Sequence, residues 1–197
     1  MRIGLMLEAV MAVLIIGGVG KRTCRENGIE TGNAVFFLIS MAALSRFTWY
    51  PADEAAAYPA CILAAAWLFG NAFRNGETGL KHHLILPVSI LLGAAMTPVV
   101  LAFPEWGYYF FGIPAALLSA TAGMQYALAA AGAAPLAAAV ISFAYTVSTG
   151  GWRMLELTEG CFCAQLTGVL FAVGAKVIIN SARTGVRRLS AERTSSD

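Results

Sequence analysis

Ionisable groups set inside apolar runs are where this chain could do chemistry, because charge in hydrocarbon is costly and tends to be kept for function. Glu8 lies about five residues into the first apolar run, roughly 7 Å deep at ~1.5 Å per residue. Arg46 lies near the far end of the second run. Neighbouring runs are antiparallel, so the two charges reach similar depth, where they form a structural pair, reach the interface separately or belong to a binding site. Pro98 and Pro114 are expected to kink the fourth and fifth runs at one depth, freeing backbone groups that need a partner or a cavity. Thr97, Ser119, Thr121 and Gln125 lie close by, either repairing those kinks or lining an outward-open pocket. With Glu105 at the outer loop, the expected substrate-binding set is Glu8, Arg46, Thr97, Glu105, Ser119, Thr121 and Gln125. Lys176 sits near the cytoplasmic end of the last run and is expected to snorkel. The midplane holds no charge, which disfavours an ion-coupled pump.

The remaining reactive side chains point to less. Cys161 and Cys163 face about 200° apart on a helix, so they are badly placed to share a metal. A disulfide from Cys61 to either is geometrically possible on an oxidising face, but small buried apolar thiols are the expectation. His82 and His83 lack a third ligand at metal spacing and read as interfacial polar residues. No phosphate loop, nucleophile elbow, zinc-protease motif or intramembrane aspartate pair is present. No catalytic residue, metal site or cofactor is therefore assigned. Were the protein an intramembrane enzyme, Glu8, Glu156 and Glu159 would be its plausible acids.

The elements that position these groups are membrane helices. Seven apolar segments, Ile3–Gly20, Asn33–Tyr50, Ala55–Phe73, Leu84–Phe103, Tyr108–Leu128, Pro135–Gly151 and Gly160–Asn180, are each about long enough to cross ~30 Å of hydrocarbon. A composition 58% hydrophobic and 12% charged excludes a soluble globular fold. Strands of alternating pattern, which a barrel requires, are absent from the sequence. The fold class is therefore all-α, a polytopic helical bundle over residues 1–182 followed by a basic tail, 183–197.

Cations set the orientation. Lys21, Arg22, Arg25, Arg74, Lys81, Arg183, Arg187, Arg188 and Arg193 fall on one side, against Arg2, Arg46 and Arg153 on the other. The positive-inside rule makes the first side cytoplasmic. An even number of crossings then separates the first loop from the tail, which keeps the Ala-rich sixth segment as a full span instead of a re-entrant hairpin. The N-terminus is outside and the C-terminus inside. A cleaved signal peptide is the alternative for the first run, with Arg2 before it and Gly17, Gly18 and Gly20 at its end, but the basic cluster that follows resists translocation. Trp49, Tyr50, Trp106, Tyr108, Tyr109 and Trp152 gather at outer ends as interfacial anchors. The outer face is locally acidic, with Glu8, Asp53, Glu54, Glu105, Glu156 and Glu159, either as loops depleted of lysine become or as a vestibule that attracts cations or basic ligands. Arginines of the tail read as topology determinants near anionic lipid, so nucleic acid is not an expected partner.

Gly160, Ala164, Gly168 and Ala172 repeat every four residues on the last helix, a packing face for another helix or for a partner subunit.

GLMLEAVMAVLIIGGVGKR and ETGNAVFFLISMAALSRF at the start, and LTGVLFAVGA at Leu166–Ala175, resemble an uncharacterised family of small polytopic bacterial membrane proteins, domain of unknown function 1614. The chain departs from that family's pattern in the third span, AAAYPACILAAAW, and at TGGWRMLEL and EGCFCAQ, so acidic residues of the family are missing here. The resemblance implies a bacterial inner-membrane protein and no assigned activity.

Together these readings favour a small permease-like or substrate-binding transport subunit. A membrane accessory protein that binds a partner or a second copy through the small-residue face is the alternative, and an intramembrane enzyme using outer carboxylates the third.

Overall fold

A computed structural model describes residues 3–26, 30–44, 47–52, 55–74, 80–103, 106–150, 155–157 and 159–194. In chain order these form α1 (Ile3–Ile16), α2 (Val19–Glu26), α3 (Thr31–Leu44), β1 (Trp49–Ala52), β2 (Ala55–Ala57), α4 (Pro59–Arg74) and α5 (Leu80–Ala102). A 3₁₀ turn, Gly107–Phe111, leads into α6 (Gly112–Thr121), followed by α7 (Met124–Ser148), β3 (Leu155–Leu157) and α8 (Glu159–Thr194). The chain is essentially all-helical. Stretches His83–Ala102, Met124–Ser148 and Glu159–Gly185 are long and apolar enough to cross a membrane, with 20, 25 and 27 residues. At ~1.5 Å per residue the shortest of them spans about 30 Å, the thickness of a hydrocarbon core. Large apolar side chains such as Ile16, Phe36, Leu91 and Ile178 stand exposed, as a lipid-facing surface requires.

Several boundaries differ from the sequence expectation. The first run is not one helix to Gly20: α1 stops at Ile16, and Gly18, at φ +93°, turns the chain into α2. Closure is tight enough that a Cβ on Gly20 would lie 2.9 Å from Ile15. In the second and third runs, Trp49–Tyr50 and Ala55–Ala57 are strands instead of helix ends. The greatest difference lies between the fifth and sixth runs. Helix α6 ends at Thr121, Gly123 takes φ +111°, and α7 starts at Met124, so the expected loop at 129–134 lies inside a helix. Alanine is the best helix former, and its modest hydropathy disguised α7 as two segments. At the C-terminus, residues expected as a tail continue α8 to Thr194.

A three-stranded sheet, too short to show alternation in the sequence, closes one end. Strands β1 and β2 pair antiparallel, Trp49 with Ala57 and Ala52 with Ala55. Strand β3 joins β2 in parallel, with Ala55, Ala56 and Ala57 opposite Leu155, Glu156 and Leu157.

Helices α7 and α8 form the centre. Ala127, Ala130, Ala131, Ala134 and Ala138 are almost fully buried, because alanine lets neighbouring backbones approach closely. Helix α5 runs alongside α7 in the same direction, with Ile85 beside Ala129 at one end and Val100 beside Ala138 at the other. Gly93 sits where they touch, its missing Cβ only 2.7 Å from the Ala134 carbonyl oxygen. The small-residue face of α8 is used within the chain: Ala164 and Ala172 are fully buried, and Gly168 packs against Ala131 and Ala115.

Candidate functional site

Beside this centre, α1, α2, α3, α4, α7 and α8 enclose a partly open cavity of about 80 Å³. One water needs roughly 10–15 Å³ on the same measure, but an apolar cavity of this kind stays dry. Met11, Ile15, Leu38, Leu68, Met124, Leu128, Leu166 and Val169 supply aliphatic lining. Phe37 and Trp67 supply a stacked aromatic wall, with ring centroids 4.2 Å apart and planes inclined by 10°. Cys24 reaches the cavity from α2, and burial pushes its thiol pKa up, so it is a protonated thiol at neutral pH.

One strongly polar side chain lines the cavity, Gln165 of α8, which is fully buried. Its Nε2 donates to the carbonyl oxygens of Cys61 at 3.1 Å and Gly132 at 2.9 Å. Both hydrogens of the carboxamide nitrogen are thereby used, and the amide is locked with its oxygen turned the other way. That Oε1 is buried with no hydrogen-bond partner among the described residues. An orphan acceptor in an apolar surround costs about 1–3 kcal/mol, and the surface that the cavity itself presents is wholly apolar.

Nearer the sheet, Cys61 and Cys161 meet, Sγ to Sγ at 3.0 Å, both fully buried. Cys163 faces elsewhere and shares a hydrogen bond with the Tyr109 hydroxyl. Glu8 is buried at the same end, within electrostatic reach of Glu159, and neither of its carboxylate oxygens has a hydrogen-bond partner among the described residues. No group of three His, Cys, Asp or Glu side chains among the described residues could hold a metal.

The residues expected from sequence to form a binding set are dispersed. Thr97 donates to the Gly93 carbonyl at 2.9 Å and Thr121 to that of Leu117 at 2.7 Å, each bonding one turn back in its own helix. Ser119 ties α6 to α8 by donating to the Ala172 carbonyl at 2.8 Å. Gln125 lies half-buried in the first turn of α7. Helices α5 and α6 barely touch among the described residues. Pro98 lies inside α5, whereas Pro114 is the third residue of α6, where a missing N–H costs nothing. Arg46 and Glu105 lie outside the described residues, so the expected Glu8–Arg46 pair is not seen.

Sequence reasoning missed Gln165 and Trp67. Both carry a signal: a carboxamide within the most apolar part of the last span, and a tryptophan away from the interfacial positions the other aromatics occupy.

Comparison with protein-family models, curated proteins and solved structures returns no match, so this geometry stands as the basis for a functional reading.

Proposed function

We propose that this is a seven-helix membrane protein of the bacterial inner membrane that binds a lipophilic small molecule, as a permease-like or substrate-binding transport subunit. The cavity carries the reading. Its walls are hydrocarbon and aromatic, which suits an acyl or isoprenoid chain. In the proposed topology α1, α3, α4, α5, the 3₁₀ turn together with α6, α7 and α8 make the crossings, N-terminus outside and C-terminus cytoplasmic. Supporting it, α5 and α7 run parallel with α6 returning between them in sequence, and the positive-inside rule assigns the basic residues of α2 and of the end of α8 to the cytoplasm. The small-residue face, which would favour a partner-binding accessory protein, is occupied inside the chain.

The test is quenching of tryptophan fluorescence by a spin-labelled fatty acid in detergent. Saturable quenching is expected, strongly reduced in Trp67→Phe and blocked by Ala64→Leu, which fills the cavity. Bound fatty acid should also slow maleimide labelling of Cys24. Quenching that rises linearly with the detergent-phase concentration of the probe, unchanged in both variants, would refute the reading.

A further inference from the structure

The parallel ladder between β2 and β3 holds a constant offset: Ala55, Ala56 and Ala57 lie opposite Leu155, Glu156 and Leu157. Each strand runs directly into a helix, and the offset persists, for α4 starts at Pro59 and α8 at Glu159. Cys61 and Cys161 are each the third residue of their helix, so the register of the sheet delivers them to one point. Two further contacts hold that register below the strands. The Tyr58 and Phe162 rings meet at 5.8 Å, and Gln165 donates to the carbonyl of Cys61 itself. The sulfurs are 3.0 Å apart, about 1 Å more than a bonded pair at ~2.05 Å. Cys163 points away toward Tyr109, and Cys24 is on α2, facing the cavity, so neither competes.

We propose that Cys61 and Cys161 are a redox site, a dithiol that becomes a disulfide by exchange with an external disulfide. When local opening at the sheet end brings one of the two buried sulfurs to the surface, that cysteine loses its proton and its thiolate attacks a sulfur of the external disulfide, making a mixed disulfide and releasing one external thiol. The second cysteine thiolate then attacks the protein-side sulfur of that mixed disulfide, closing the Cys61–Cys161 bond and releasing the second external thiol. Two protein thiols are oxidised, one external disulfide is reduced, and the two protons pass to the departing thiols. The bond joins α4 to α8 at the sheet end of the cavity, one turn above Ala64 and Gln165, and so fixes two of its walls. Formation in the cell rests on the topology proposed above, which puts this end on the oxidising side; the exchange itself rests only on the geometry.

The experiment counts thiols by mass after acid denaturation and maleimide labelling of the full chain. Purified, reduced protein in detergent is treated with oxidised glutathione and, in parallel, with diamide, which is small enough to reach covered thiols. Labelling should fall from four thiols to two, with a cross-linked peptide joining Cys61 to Cys161. Cys24→Ala and Cys163→Ala should still lose two thiols, and Cys61→Ala and Cys161→Ala none. Four labelled thiols after both oxidants, or a bridge to Cys24 or Cys163, would overturn the proposal. Acid trapping of whole cells tests the topology separately: a pair that closes in vitro and stays reduced in cells refutes the outward placement and leaves the site standing.

Discussion

Replacing Gly93 and Gly174 by alanine makes one chemical change in two surroundings, and the structure makes the Gly93 variant the less stable of the two. Both glycines lie within helices, α5 and α8, so each substitution gains about 1 kcal/mol of helix propensity. At Gly174 nothing lies within 4 Å of the added Cβ. That variant should keep the whole gain. At Gly93 the same Cβ would sit 2.7 Å from the Ala134 carbonyl oxygen and 2.7 Å from the Ala137 Cβ, well inside ordinary contact. The first neighbour is backbone of a central helix and cannot rotate away, so α5 must retreat from α7. Overpacking of this kind costs about 1–3 kcal/mol. Propensity cancels in the comparison of the two variants, leaving the overpacking term alone. At roughly 2–4 °C per kcal/mol for a chain of this size, Gly93→Ala should melt about 2–12 °C below Gly174→Ala. Thermal unfolding in one detergent, followed by tryptophan fluorescence, measures it. Equal melting temperatures, or a more stable Gly93→Ala, would refute the close approach of α5 to α7.

Gly123→Ala should lower stability by about 1–3 kcal/mol, because φ +111° with ψ 166° at the α6–α7 turn is a conformation essentially confined to glycine; a melt unchanged from wild type would return the break to the alanine-rich segment. Ser119→Ala should cost about 0.5–1.5 kcal/mol through loss of the α6–α8 hydrogen bond. Thr121→Ala, which loses only an exposed local bond, should lie within about 0.5 kcal/mol of wild type in the same denaturation series. Gln165→Leu strips partners from the carbonyls of Cys61 and Gly132 and should destabilise by about 1–3 kcal/mol.

Legibility of this chain from its sequence follows from how local each determinant is. A helix in lipid needs only its own apolar residues, and the long runs at α5 and α8 could be read directly. The α6–α7 break is governed by one residue, Gly123, whose positive φ leaves no trace in hydropathy, while the alanines that fill α7 look like a weak span. The polar residues around Pro98 and Pro114 drew attention because charge and hydroxyls stand out in an apolar sequence. Thr97 and Thr121 nevertheless satisfy themselves one turn back, which is the cheapest repair open to a hydroxyl in a helix. Glu8 could be read as a buried charge, yet its nearness to Glu159 depends on packing of α1 against α8.

The cavity, and the choice between Cys161 and Cys163 as the neighbour of Cys61, were beyond local reading for a different reason. Six helices contribute to the cavity, and no periodicity in any one of them records an empty space between all six. Cys61 and Cys161 meet through a three-residue parallel ladder between segments a hundred positions apart. Such a ladder is too short to show strand periodicity, and parallel pairing carries no hairpin signal to fix its register. Once the ladder is placed, much else follows: α4 and α8 start level, Tyr58 meets Phe162, and Gln165 comes opposite the Cys61 carbonyl. A few non-local backbone hydrogen bonds at the sheet thus position side chains one and two turns further down both helices, and the cavity wall inherits its register from them.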